Sequence, residues 1–151
     1  MKIWPLGYKK AKEKARNLYV KIGRIQCPAL NNECIAFTNE GFNHILRKGR
    51  IPRTKNEQKR RLSLIPYIER ILKNPRAVVC HEHRNTRTII NRYGNKLLIK
   101  STADFWTFTE RIDGCVIKVV VRQIPPNGQK HFMSVMGDVI KINNINKKSR
   151  Y

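Results

Sequence analysis

The dipeptide Asp113-Gly114 does more than any other feature to restrict what this chain can fold into. It separates two runs rich in β-branched and aromatic residues, Phe105 to Ile112 and Cys115 to Ile124. Asp-Gly is preferred in two-residue type I′ hairpin turns, because both central positions need positive φ and glycine adopts it without strain. A turn of that length sets the register. Ile112 opposes Cys115, Glu110 opposes Ile117, Phe108 opposes Val119 and Trp106 opposes Val121, which gathers most of the bulky apolar residues on one face. That face is expected to meet helices. The other face carries Thr107 opposite Val120, Thr109 opposite Lys118, Arg111 opposite Val116 and Phe105 opposite Arg122, a polar and cationic surface. Pro125-Pro126-Asn127-Gly128-Gln129 reads as the loop to a further strand, His131 to Val135. That loop can close in more than one register, which leaves open whether His131 or Ser134 joins the cationic face.

Upstream the period changes. From Tyr8 to Ile22, Ala11, Ala15, Leu18 and Ile22 recur at three- and four-residue steps, the mark of a helix with one buried face. Cys34 to Phe37 reads as a short strand. Thr38 stands where a helix N-cap belongs, with Asn39 and Glu40 suiting the positive end of a helix from about Asn39 to Arg47 that stops near Gly49. From Asn56 to Lys73, Leu62, Leu64, Ile65, Ile68, Ile71 and Leu72 fit a helical face that Asn74-Pro75 ends. Pro66 either kinks that helix or divides it into two. Ala77 to Cys80 begins a strand, His81 to Asn95 is polar without a clear period, and Tyr93-Gly94-Asn95-Lys96 suits a turn. Helices followed by an antiparallel meander define an α+β domain, with N-terminal helices packed on one face of a C-terminal sheet. The domain is expected over residues 1–140, mainly helical over 8–75 and mainly sheet over 76–140, followed by a basic flexible tail at 141–151.

Charge narrows the partners. The 151 residues include 32 Lys+Arg against 10 Asp+Glu, a formal charge of +22, so a polyanion such as nucleic acid is the first partner to consider. No run of about twenty apolar residues occurs, and the N-terminus turns charged before a secretory core could form. A soluble, cytoplasmic protein without a membrane partner is expected. Cys27, Cys34, Cys80 and Cys115 are unevenly spaced, and a chain this long folds without disulfides.

Zinc is not expected. Cys27 and Cys34 stand further apart than the usual ligand pair, and Cys80, His81 and His83 do not restore a zinc pattern. No Walker loop, dinucleotide fingerprint or paired metal-binding carboxylates occur, so no cofactor is expected and phosphodiester chemistry would be metal-free. Metal-free RNA cleavage needs a group to activate the ribose 2′-hydroxyl, one to protonate the leaving oxygen, and cations to neutralise the phosphorane. Lys118, Arg122, Thr107 and Thr109 on the counted hairpin, with His131 and Ser134 nearby, offer such groups. His44 lies at the edge of the apolar face made by Phe42, Ile45 and Leu46, followed by the basic residues Arg47, Lys48, Arg50 and Arg53.

Phe37-Thr38-Asn39-Glu40-Gly41-Phe42-Asn43-His44-Ile45, the helix ending at Asn74-Pro75, and the meander Cys115 to Arg122 with Lys130 to Val135 together resemble the barnase-EndoU-colicin-RelE-like nucleases, phage and toxin members most of all. The likeness spans roughly Ile35 to Val135. It implies a metal-independent ribonuclease in which His44 is the general acid or base, Lys118 or Arg122 stabilises the phosphorane, Ser134 orients the phosphate and Thr109 supports it, with His131 as candidate second histidine. Arg47, Lys48, Arg50, Arg53 and Arg111 would contact the RNA, a tRNA or mRNA. A toxin of this kind implies an acidic immunity or antitoxin partner. A non-catalytic RNA- or DNA-binding domain accounts for the charge equally well.

Overall fold

Residues 7–123 and 128–139 are described by the computed structural model. The tail at 141–151 and most of the proline-rich loop fall outside them. α1 (Tyr8–Ile22) buries Ala11, Ala15 and Tyr19, and Leu18 and Ile22 pack beside them partly buried. β1 (Arg24–Cys27) follows, then a 3-10 turn at Pro28–Leu30 and β2 (Glu33–Ala36), which pairs antiparallel with β1. The helical half of the chain thus lends two strands to the sheet, and the sequence pattern points only to the second.

α2 (Asn39–Leu46) is shorter than expected. Arg47 turns extended and pairs with Pro52, so β3 (Arg47–Lys48) and β4 (Ile51–Pro52) form a small hairpin. Gly49, at φ 63°, makes the turn of that hairpin instead of capping a helix. Thr38 occupies the N-cap position but its side chain makes no cap bond; its carbonyl accepts from the Tyr19 hydroxyl at 2.6 Å. Pro66 divides two helices. α3 (Lys55–Leu62) starts at Thr54, whose Oγ1 accepts from the Glu57 amide at 3.2 Å. α4 (Ile65–Lys73) carries Pro66 in its first turn, where a missing N–H leaves no bond unmade.

β5 (Val78–Arg92), β6 (Asn95–Ile112), β7 (Cys115–Gln123) and β8 (His131–Val139) complete a six-stranded sheet in the order β1-β2-β8-β7-β6-β5. The turn at Asp113 and Gly114 has φ of 50° and 74°, and every β6–β7 pair counted from it is present. The architecture is α+β. Phe108, Ile117, Val119, Val121, Phe132 and Val135 on the inner face pack with Ile65, Ile68 and Leu72 of α4 and with Ile35, Phe42 and Ile45. All are essentially solvent-free, each contributing on the order of 1.5–3 kcal/mol of burial.

Strand pairing departs from regularity at both sides of the sheet. β2 meets β8 at one parallel pair, Ala36 with His131, so β8 has no neighbouring strand on that side beyond it. A bulge in β8 shifts the register against β7 between Val120 and Val121, pairing Val120 with Ser134 and Val121 with Phe132 and leaving Met133 extra. At the opposite edge, β5 and β6 stay paired from Val78 and Thr109 out to Arg92 and Asn95, whereas β7 reaches only Asp104. The outer part, 84–92 with 95–103, is a two-stranded arm about 30 Å long.

Candidate active site

Gly41 brings α2 onto β8. A Cβ at that position would stand 2.6 Å from the Phe132 carbonyl oxygen and 2.6 Å from the Tyr19 hydroxyl, so only glycine allows this approach. Phe42 and Ile45 enter the core and fix the rotation of the helix. Glu40 and His44, one turn apart, then share a face. His44 is half-buried in a groove of about 360 Å³ lined by Glu40, Asn43, His44, Arg47 and Gly49. Its Nδ1 is shielded from solvent and has no hydrogen-bond partner among the described residues.

Three guanidiniums surround this ring. Arg53 is tied to the end of α2, its Nε donating to the His44 carbonyl at 3.2 Å and its amide to that of Leu46 at 2.9 Å. Arg61 of α3 donates through Nη1 to Ser134 Oγ at 3.1 Å and to the Val135 carbonyl at 3.2 Å, capping the open edge of β8, while its Nε pairs with Glu57 at 3.0 Å. Arg122, almost wholly buried, pairs through Nη2 with Glu40 at 2.8 Å and donates through Nε to His131 Nε2 at 3.2 Å. Because His131 Nε2 accepts, its proton sits on Nδ1, which lies 3.3 Å from the Gln129 carbonyl.

Both imidazoles have their charged form disfavoured by these surroundings. Burial pushes the His44 pKa below its ordinary value, Arg53 and Arg122 add to this, Glu40 opposes them and Arg61 contributes least. His131 is also pushed down, by burial first, with the Gln129 carbonyl working against it and Arg122 with it. Arg53 shows the same crowding, its pKa lowered by burial and then by Arg61.

The residues singled out in the sequence divide into two groups. His44, Arg122, His131 and Ser134 come together, with Arg53 beside them and Arg47 on the rim. The bulge answers the question the loop left open. Residues three apart in a regular strand face opposite ways, but the extra Met133 lets His131, opposite Arg122, and Ser134, opposite Val120, share the outer face. Lys118 does not join them. It is exposed, pairs with Thr109 and Met136, and stands four residues along β7 from Arg122, about 13 Å away. Thr109 is beside it and Arg111 further out. Lys48 and Arg53 border a second depression of about 720 Å³, and Arg50 is exposed on the same hairpin.

The outer face of the sheet is therefore not uniformly cationic surface. Around Arg122, Ser134 and Val120 it is covered, since α2 and α3 wrap the open edge of β8 and bring Glu40 and Arg61 across it. Arg61 is a site residue that the sequence reading missed. The signal was there in Glu57 and Arg61, four residues apart on one helix beside the buried Gln58 and Leu62.

A separate cluster forms on the inner side near the arm. Asp104 bonds His81 Nε2 at 2.9 Å and His83 Nδ1 at 3.0 Å, and the two imidazoles hold its carboxyl below the usual range. His81 stacks on Trp106 with ring centres 4.9 Å apart. Among the described residues no group of three or more His, Cys, Asp or Glu is arranged to hold a metal ion, and the four cysteines are free thiols. No described helix is long and apolar enough to cross a membrane. Comparison with family models, with curated proteins and with solved structures finds no match to this chain.

Proposed function

We propose that the chain is a metal-independent endoribonuclease of toxin or phage type that cuts tRNA, mRNA or another structured RNA in the cytoplasm. The observation that carries this reading is a half-buried imidazole that lines a groove and is crowded by three guanidiniums, which together with burial disfavour its charged form. A neutral imidazole is the form that can take a proton. His44, through the ring nitrogen other than the shielded Nδ1, would remove the proton of the ribose 2′-hydroxyl, whose oxygen attacks the adjacent phosphorus and leaves a 2′,3′-cyclic phosphate. Arg122, Arg61 and Arg53 would neutralise the phosphorane, and water from the open side of the groove would protonate the departing 5′-oxygen. His131 and Ser134 act through the arginines they bond, as positioning residues. Arg47, Lys48 and Arg50 would receive the flanking strand. An acidic immunity or antitoxin protein would suit the same basic rim.

The test is cleavage of a labelled RNA in excess chelator, beside DNA of the same sequence. RNA should shorten with time at substoichiometric protein and DNA should not, because deoxyribose lacks the nucleophile. His44→Ala should lower the rate about 10²–10⁴-fold with the fold unchanged by circular dichroism. RNA that is retarded without being shortened would identify a binding domain instead.

A further inference from the structure

The arm built from the outer parts of β5 and β6 carries a charge pattern its own folding does not require. Between Glu82 and Asp104 the chain holds Arg84, Arg87, Arg92, Lys96 and Lys100 and no acidic residue. Arg84 has partners, Glu82 at 3.0 Å and the Phe105 ring. Arg87 and Lys100 are different: they sit directly opposite one another in the β5–β6 register, an arrangement that weakens a two-stranded ribbon. Both are exposed, and neither has an acidic partner among the described residues.

A trough of about 650 Å³ lies at this pair, lined by Asn85, Thr86, Arg87, Lys100, Ser101 and Thr102. Every lining side chain can donate a hydrogen bond, and none carries negative charge. Asn85 and Thr102 pair two positions along from Arg87 and Lys100 and so share their face, whereas Thr86 and Ser101 point to the other side of the ribbon. Two cations without acidic partners among the described residues, flanked on the same face by the Asn85 amide and the Thr102 hydroxyl, form the complement of a phosphate oxygen cluster. At the end of the arm Tyr93, 96 % exposed beside Gly94, offers a free aromatic face of the kind bases stack on.

We infer that the β5–β6 arm is a nucleic-acid grip: Arg87 and Lys100, with Asn85 and Thr102 on the same face, hold a backbone phosphate of the RNA in the trough, apart from the His44 groove. The polymer's identity as RNA rests on the ribonuclease reading; the phosphate chemistry does not. A grip at this distance would let the protein retain a long structured RNA while a short segment lies at His44.

The experiment measures binding by fluorescence anisotropy of a labelled RNA hairpin with 2′-O-methyl riboses, which cannot be cut, across a salt series. Arg87→Ala with Lys100→Ala should weaken binding several-fold and flatten the slope of log K against log salt by about 1.4–1.8, the counterions released by two contacts. Thr102→Val should weaken binding with little change in the slope. Lys9→Ala with Lys10→Ala on α1 removes the same charge from another exposed face, and an equal effect there would mean that net charge alone is at work and overturn the inference. Wild-type affinity in the arm variant would overturn it too. So would loss of binding to phosphatidylglycerol vesicles with RNA affinity kept, which would make the arm a lipid-contacting element. A protein that never cuts RNA but needs Arg87 and Lys100 to bind it would refute the ribonuclease reading and keep the grip. Replacing 86–101 by an Asn-Gly turn repeats the comparison without the trough.

Discussion

β6 passes through two environments. Residues 104–109 run between β5 and β7 with helices over one face, while residues 95–103 have only β5 beside them. The two stretches are similar in strand-forming composition, Leu97-Leu98-Ile99 in one and Phe105-Trp106-Thr107-Phe108 in the other. Their fates differ. Phe108 is fully enclosed, whereas Leu98 is 58 % exposed. Local propensity makes both halves extended; neighbours decide which half is core. The cations follow the same division, since Arg122 near the helices is buried and paired with Glu40, and Arg87 and Lys100 on the arm are exposed without acidic partners among the described residues.

That contrast can be broken experimentally. Phe108→Ala should cost about 3–5 kcal/mol in denaturant unfolding, the usual penalty for emptying a large aromatic site. Leu98→Ala on the same strand should stay within about 0.5 kcal/mol, as surface changes do. Comparable losses would show that the arm is packed against something in solution. Gly114→Ala, at φ 74° in the turn that joins β6 to β7, should cost about 1 kcal/mol, again by denaturant unfolding.

Acid sharpens the difference between the buried and exposed ends. His44 and His131 have lowered pKa values in the folded chain, while in the unfolded chain histidine titrates near its ordinary value of about 6.5. The folded state thus binds fewer protons below that point. Their stabilising contribution is complete above about pH 6.5 and is lost as pH falls through the lowered folded values. The Tm should decline between pH 7 and pH 5, and His44→Gln with His131→Gln should flatten the decline. An unchanged slope would place the acid sensitivity elsewhere. The smallest effect expected is in amide exchange, with 95–103 exchanging faster than 104–112 at equal pH.

Much of this was legible in the residues. Asp113-Gly114 yielded the β6–β7 register pair by pair, and the spacing of apolar residues located α1 and most of α2 and α4. β1 was not legible because its four residues alternate only twice between exposed and buried. The arm was obscure because its apolar residues answer to no core. At the site, His44, His131 and Ser134 were recognisable by chemical type, and Arg122 also by the side of the hairpin it occupies, whereas the side taken by Ser134 was left open by the loop. Lys118 shares a face with Arg122, but face is a property of parity and not of distance, and the wrap of α2 and α3 around the edge of β8 selects one end of β7 over the other. Arg61 contributes through that wrap, a tertiary event no local pattern announces.

Met133 shows how a count can matter as much as an alphabet. Its single additional position rotates the strand on one side of it by half a turn relative to the other. Deleting it would leave His131, Ser134 and Val135 spelled as before, yet would exchange inside for outside along one part of β8, turning Val135 toward water or His131 toward the core. In searching for chains that share this site, the interval from His131 to Ser134 is therefore as discriminating a marker as the histidine and the serine themselves.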